Sequence, residues 1–398
     1  MPLIKITTTT NYDDVEKEIN VDDVQTYLDE LPPENIEGIK VSNCNLTVIN
    51  NLARFTNLWK LDCGNLIKLM KSDCENKLTA LPELPESLRE LYCRGNQLTT
   101  LPKLPENLRV LDCDYNHLAS LPELPKSLER LDCGRNHITS LPVLPKSLGC
   151  LRCSHNQLTS LPELPVVIDY EQSLDCSHNH LASLPELPTT LEELDCSGNQ
   201  LTSLPKLPEY LKELDCCGNQ LTTLPELPDS LRNLYCRSNQ FTSLPTLPDI
   251  LKWLDCCDNQ LTSLPEVPKS LEYLYCSQNE LTSLPTLPES LEWLDCDYNQ
   301  LTTLPELPDS LGNLDYVDNP IWHIIWDLVD DTADISDISI VRRTINTLNR
   351  FRHLYYHLKF KLKFIQWFLR ANETKIMEQN HPDKITALLA SGLDVLDL

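Results

Sequence analysis

The chain has 398 residues, 29 of them proline and 17 cysteine, and carries a formal net charge of −26. Such a field repels nucleic acid and anionic membrane and favours a basic protein partner. No apolar run is long enough to cross a bilayer, and the opening Met1-Pro2-Leu3-Ile4-Lys5 lacks the apolar core of a signal peptide, which predicts an intracellular, cytoplasmic protein with reduced thiols.

Residues 1–38 open with a strand-like Leu3-Ile4-Lys5-Ile6, and Asp22 to Leu31 reads as a short helix. From Ile39 a repeat takes over. One unit is spelled by Leu88, Leu91, Cys93, Asn96, Leu98, Leu101-Pro102 and Leu104-Pro105. Its cysteine recurs at a step of 20 from Cys93 to Cys153, once at a step of 23 to Cys176, then at 20 again to Cys296. A further copy, Leu311 to Ile321, has Tyr316 in place of cysteine and keeps Asn319. Upstream the pattern decays. Ile39, Val41 and Leu46 fit it with Cys44 at the asparagine position, and Leu58, Leu61 and Cys63 fit it too. Between Leu66 and Leu78 no register can be assigned. The repeat therefore spans 39–321 and is regular from about residue 78.

This is the leucine-rich-repeat pattern L-x-x-L-x-L-x-x-N/C-x-L with cysteine at the third leucine position. Leu91 and Cys93 alternate with polar neighbours, so Leu91-Tyr92-Cys93 is predicted to be a short strand with leucine and cysteine facing inward. Asn96 ends the strand, and its amide can bond to the backbone of a neighbouring coil. Pro102 and Pro105 exclude a helix on the return path and hold it extended. Stacked coils then align one parallel sheet with strands about 4.8 Å apart. The expected fold class is an α/β repeat solenoid: a leucine-rich-repeat horseshoe with one parallel sheet, an extended polyproline-like convex side and a mainly helical C-terminal cap.

The L-P-x-L-P units resemble the short repeats of bacterial effectors of the IpaH and YopM type. The L-D-C-S-x-N-Q-L-T-S-L-P-E-L-P wording is similar to leucine-rich-repeat proteins of giant DNA viruses of the mimivirus type. The resemblance covers roughly Leu78 to Ile321 and implies a scaffold that binds proteins inside a host cell. IpaH-type effectors also carry a ubiquitin-ligase domain with a catalytic cysteine after their repeats. No cysteine follows Cys296 here, so that activity is not carried over.

Other signs of chemistry are weak. Cys150 and Cys153 have C-x-x-C spacing, but strand alternation puts them on opposite faces, so they cannot share a zinc ion. The same parity predicts that Cys150, Cys217 and Cys257 are exposed thiols. The pairs His117 with His137 and His155 with His178 sit on successive coils without a third converging ligand. The aspartates before the cysteine, among them Asp112, Asp132, Asp175, Asp195 and Asp215, read as an acidic stripe. No phosphate-loop, dinucleotide or hydrolase motif is present. No cofactor and no catalysis are expected.

Outward positions lie one and three residues before each cysteine and one after it. In the later repeats they turn aromatic: Trp253, Tyr273 and Trp293 in one column, and Tyr235 and Tyr275 alternating with Asp255 and Asp295 in the other. These seven residues are the candidate partner-binding site, since exposed tryptophan and tyrosine mark interaction hot spots and their ring faces, beside aspartate, suit Arg or Lys. After Ile321 the spacing turns helical. Leu348, Phe351, Leu354, Tyr355, Leu358, Leu362, Ile365 and Leu369 recur mostly at three- and four-residue steps, and His381-Pro382-Asp383 starts a last helix that Gly392 ends. Eight basic residues and no acid lie between Val341 and Arg370. Residues 1–38 and 322–398 are therefore read as caps, the second helical. The basic stretch 341–370 either docks on the acidic solenoid or contacts a membrane or partner, which would make the chain a tethered adaptor.

Overall fold

The computed structural model describes residues 3–10, 13–20, 23–65, 75–166, 172–328, 338–351 and 361. The N-terminal segment is a hairpin rather than a single strand. β1 (Leu3–Thr10) pairs antiparallel with β2 (Asp13–Asn20) and, by its other edge, with β3 (Ile36–Lys40). Between β2 and β3, helix α1 (Val24–Glu30) buries Val24 and Leu28. Asp23 caps it, its carboxylate accepting from the Thr26 N–H at 3.2 Å.

From β3 onward every pairing is parallel and in sequence order. β4 is Lys60–Asp62, and the regular coils supply β5 (Glu90–Tyr92), β6 (Val110–Asp112), β7 (Arg130–Asp132), β8 (Cys150–Arg152) and β9 (Gln172–Asp175). Then come β10 (Leu191–Asp195), β11 (Glu213–Asp215), β12 (Asn233–Tyr235), β13 (Trp253–Asp255), β14 (Tyr273–Tyr275), β15 (Trp293–Asp295) and β16 (Asn313–Asp315). All sixteen form one sheet, closed at its N-terminal end by the hairpin. The predicted parallel-sheet solenoid is therefore what forms.

The asparagine forecast holds in detail. Asn116 is buried; its Oδ1 accepts from the Leu98 N–H at 3.0 Å, and its Nδ2 donates to Cys93 O and Cys113 O at 3.1 and 3.0 Å. Each asparagine thus ties its own coil to the one before. The irregular coil after β4 hides its member of the ladder: Asn76 accepts from Cys44 N and Leu46 N and donates to Val41 O and Cys63 O. The unassigned stretch just before it, residues 66–74, lies outside the described residues. A feature absent from the sequence reading is the turn residue before each asparagine. It takes positive φ in coil after coil, as at Tyr115 (58°), His155 (52°) and Asp258 (53°). Only Gly95, Gly198 and Gly218 adopt it without the usual side-chain strain.

The strands end one residue earlier than predicted, before the cysteine. Cys93, Cys113, Cys196 and Cys256 are fully buried, and burial drives such thiols upward, Cys63 to about 12. Parity also fails just past the strand end. Cys257, expected to be exposed, is buried in the turn, where Ser277 Oγ donates to its Sγ at 3.0 Å. Of the sixteen described cysteines fourteen are buried, and only Cys150 and Cys217 are half-buried. Burial, and then the charge of Asp215, push the Cys217 thiol far up, so thiol titration of the native protein should find few reactive groups, Cys150 first, with the rest released on denaturation. Fast reaction of most thiols in the native state would contradict the buried column.

α2 (Pro320–Leu328) follows directly after Asn319, and residues 338–351 are helical. Among the described residues, those to Leu304 and Pro308–His323 form one compact unit, and Pro305–Leu307 with those from Ile324 belong to a second. Leu354 to Leu369, the helix at His381–Gly392 and the basic residues Arg352, Lys359, Lys363 and Arg370 lie outside the described residues, apart from Lys361, which is helical.

Candidate functional site

In a coil of the type Trp253-Leu254-Asp255 the leucine points into the core and its two neighbours stand half-buried on the sheet's outer face. Register then decides which neighbours meet. Asn233, Trp253, Tyr273, Trp293 and Asn313 align as one column, and Tyr235, Asp255, Tyr275, Asp295 and Asp315 as the next. The seven predicted site residues are thus brought together.

Trp253 is the hub. Its ring lies 4.5 Å from that of Tyr273 and 5.2 Å from that of Tyr275, each at 27°, and 5.9 Å from that of Tyr235. Tyr275 continues the cluster to Trp293 at 6.2 Å. Such offset contacts are each worth about 0.5–1.5 kcal/mol beyond area burial. The indole N–H groups of Trp253 and Trp293 are covered yet have no acceptor. Tyr298, at the edge of the predicted cluster, sits exposed in a turn with φ of 50°.

The aspartates before the cysteines have a structural task the sequence did not reveal. Asp255 Oδ1 accepts from Cys257 N at 3.1 Å, Asp295 Oδ1 from Asp297 N at 3.2 Å, and Asp195 and Asp215 bond their turns likewise. The stripe is therefore built from turn caps, and the second oxygen of Asp295 lies 2.9 Å from Ser277 Oγ.

Over β5–β11 the same face forms a shallow concavity of about 490 Å³. Arg94, Arg130, Arg135 and Arg152 line its N-terminal part, and Glu193, Asp195, Glu213 and Asp215 its C-terminal part. The arginines were legible by the same parity rule, as Arg130 and Arg152 hold the outward positions of β7 and β8. Arg94 approaches Asp112 at 3.7 Å and Asp114 at 3.4 Å, and Arg135 reaches Asp114 at 3.4 Å.

Burial, and then the charge of Asp132, lift the Asp112 carboxyl from its ordinary 3.8 to about 6. A folded value above the unfolded one means that the associated stability is present below pH 3.8 and lost as pH rises through about 6. Asp112→Asn keeps an oxygen for the Asp114 N–H and removes the buried charge. It should stabilise the protein by about 1–3 kcal/mol at pH 7 and by little at pH 4, measured by denaturant unfolding at both values. An equal effect at the two pH values would refute this account.

The histidine pairs stack, His117 on His137 at 5.8 Å and His155 on His178 at 4.2 Å. Among the described residues no group of three or more His, Cys, Asp or Glu is placed to hold a metal ion.

The leucine-rich-repeat family models match residues 106–146, 189–229 and 290–314. No curated protein matches the chain. Among solved structures, YopM from Yersinia enterocolitica is 42% identical with a TM-score of 0.63, the match covering 69% of this chain and 62% of that one. The chain thus spans less than two thirds of that relative's length. The leucine-rich effector protein YopM from Yersinia pestis is 35% identical with a TM-score of 0.50, over 61% of this chain and 81% of that one. A leucine-rich-repeat protein from Leptospira interrogans, at 24% identity and a TM-score of 0.50, shares the fold. One parallel strand per coil, a buried asparagine ladder and these matches agree: the chain belongs to the leucine-rich-repeat family and is structurally similar to the YopM effectors.

Proposed function

We propose that this chain is a non-enzymatic scaffold that captures a protein partner on the outer face of its parallel sheet, with Tyr235, Trp253, Tyr273, Tyr275 and Trp293 as the anchor and Asp255 and Asp295 at its edge. The observation that carries the reading is the ring cluster itself. Nothing in the repeat calls for tryptophan at these positions, since equivalent coils use Glu193, Glu213 and Asn233. Rings serving stability alone would find acceptors for their indole N–H groups, and these have none. Likeness to an effector supports a partner inside a host cell. The test is partner affinity of the Trp253→Ala/Trp293→Ala variant, with folding monitored in parallel. Unchanged affinity would defeat the proposal.

Tethering to a membrane through 341–370 is the second reading and rests on the eight basic residues there. No helix of the described residues is long and apolar enough to cross a membrane. Co-sedimentation with anionic liposomes, lost when the segment is removed, is what that reading requires.

A further inference from the structure

The outer face of the sheet changes character along the solenoid in three steps. β7 and β8 present Arg130 and Arg152. β10 and β11 present Glu193, Asp195, Glu213 and Asp215 at the outward positions, joined by Asp175 on β9. β12 to β15 present the five rings with Asp255 and Asp295 between them. The acidic and aromatic zones are contiguous, since Asp215 aligns with Tyr235 and Glu213 with Asn233, whose Nδ2 donates to the Glu213 carboxylate at 3.2 Å. No lysine or arginine holds the position one or three before the cysteine from β9 to β15; the exposed Arg237 follows directly after Cys236.

Resting on the reading that this face binds protein, we propose that its occupant is an extended basic protein segment laid across the strands, its arginines and lysines over the carboxylates of β9–β11 and an adjoining apolar block on the rings of β12–β15. Charge complementarity selects the occupant. A polyanion would meet uncompensated carboxylates, and an uncharged apolar segment would leave them desolvated without partners. Guanidinium groups suit both zones, pairing with carboxylate forks in one and lying flat on rings in the other. Arg130 and Arg152 end the acidic zone and repel any continuation of the basic block, which fixes its limit at β9. The length follows from geometry. β9 to β15 is six strand spacings, about 29 Å, and an extended chain at about 3.3 Å per residue covers that with about nine residues. Side chains alternate, so about half of these face the sheet.

The test uses the full chain and two synthetic twelve-residue peptides of identical composition. One has an arginine block followed by a leucine block; the other has the same residues interleaved. Binding is followed by fluorescence anisotropy at two salt concentrations. The block peptide is expected to bind at least tenfold tighter than the interleaved one. Neutralising the acidic zone (Glu193→Gln, Asp195→Asn, Glu213→Gln, Asp215→Asn) should weaken it about tenfold or more and flatten its salt dependence. The asparagines retain the oxygen that accepts the turn N–H, so the fold should survive, and circular dichroism checks that it does. Trp253→Ala/Trp293→Ala should weaken binding with the salt dependence intact. Equal binding of the two peptides, or a salt dependence that survives neutralisation, overturns the assignment of a basic segment. If the tryptophan pair matters and the carboxylates do not, the basic occupant is refuted while the docking face stands. If neither variant matters, the face itself fails. Tighter binding of a neutral oligosaccharide than of the block peptide would also overturn the proposal.

Discussion

Replacing Asn219 by alanine is expected to lower the stability of the solenoid by about 2–4 kcal/mol, although the side chain lies far from any end and touches no partner. Asn219 Oδ1 accepts from Leu201 N at 3.0 Å, and its Nδ2 donates to Cys196 O, Cys216 O and Cys217 O at 3.1, 3.1 and 3.2 Å. The carbonyls are only partly deprived. Asn199 also donates to Cys196 O, Asn239 to Cys216 O, and the Gly198 N–H to Cys217 O. The Leu201 N–H is left with nothing, and an orphaned buried donor costs about 1–3 kcal/mol by itself. Equilibrium denaturation is the measurement. Each coil contacts its neighbours along one dimension, so the loss should also split or broaden the transition. A drop below about 0.5 kcal/mol would mean the ladder is ornamental.

The second large effect concerns binding. Trp253→Ala/Trp293→Ala should weaken the partner complex by about 2–4 kcal/mol, roughly 30- to 1000-fold. The sequence alone suggested that these rings matter little to the fold, because they face outward. The geometry revises that. Trp253 stacks with three rings and Trp293 with one, so the double variant also gives up about 2–6 kcal/mol of ring contacts. Trp293→Ala alone is the cleaner probe, losing a single ring contact at 6.2 Å. Leu254→Ala is the contrasting control. Its side chain is fully buried, and the substitution should destabilise by about 2–5 kcal/mol while leaving the anchor rings in place. Affinities referred to the folded fraction separate the two effects. If the Trp293 variant binds with wild-type affinity and the Leu254 variant does not, the anchor lies elsewhere on the face.

What the sequence made legible follows from how strongly the repeat constrains the chain. A period of 20 residues with leucine, cysteine and asparagine at fixed offsets fixes the inward side chains, and therefore the outward ones. That is why Trp253, Tyr273 and Trp293 could be placed in one column before any coordinates. The misses occur where a local rule stops applying. Alternation holds only inside a strand, and β13 ends at Asp255, so the rule had no authority over Cys257. β2 was missed because the alternation of Val15, Lys17 and Ile19 is short and lies in a charged stretch. Asn76 was hidden by the extra residues between β4 and itself, since its fit depends on coils on either side and not on its sequence neighbours. The turn-capping role of the aspartates looks in sequence like a stripe of charge; only the N–H two residues on reveals it.

The constant length of the coil has an evolutionary consequence. Because the asparagine of one coil bonds the backbone of the coil before, and the step between them is 20 residues in nearly every case, unequal recombination between two repeats inserts or excises a whole coil and leaves every hydrogen bond of the ladder re-formed across the joint. Such an event cannot move a residue from the inner to the outer face. It can only lengthen or shorten the run of coils between Arg152, the carboxylates of β10 and β11, and the rings of β12 to β15. Variation in repeat number among descendants of this gene would therefore act as a vernier on the spacing of surface patches, in increments of about 4.8 Å, while the core stays unaltered.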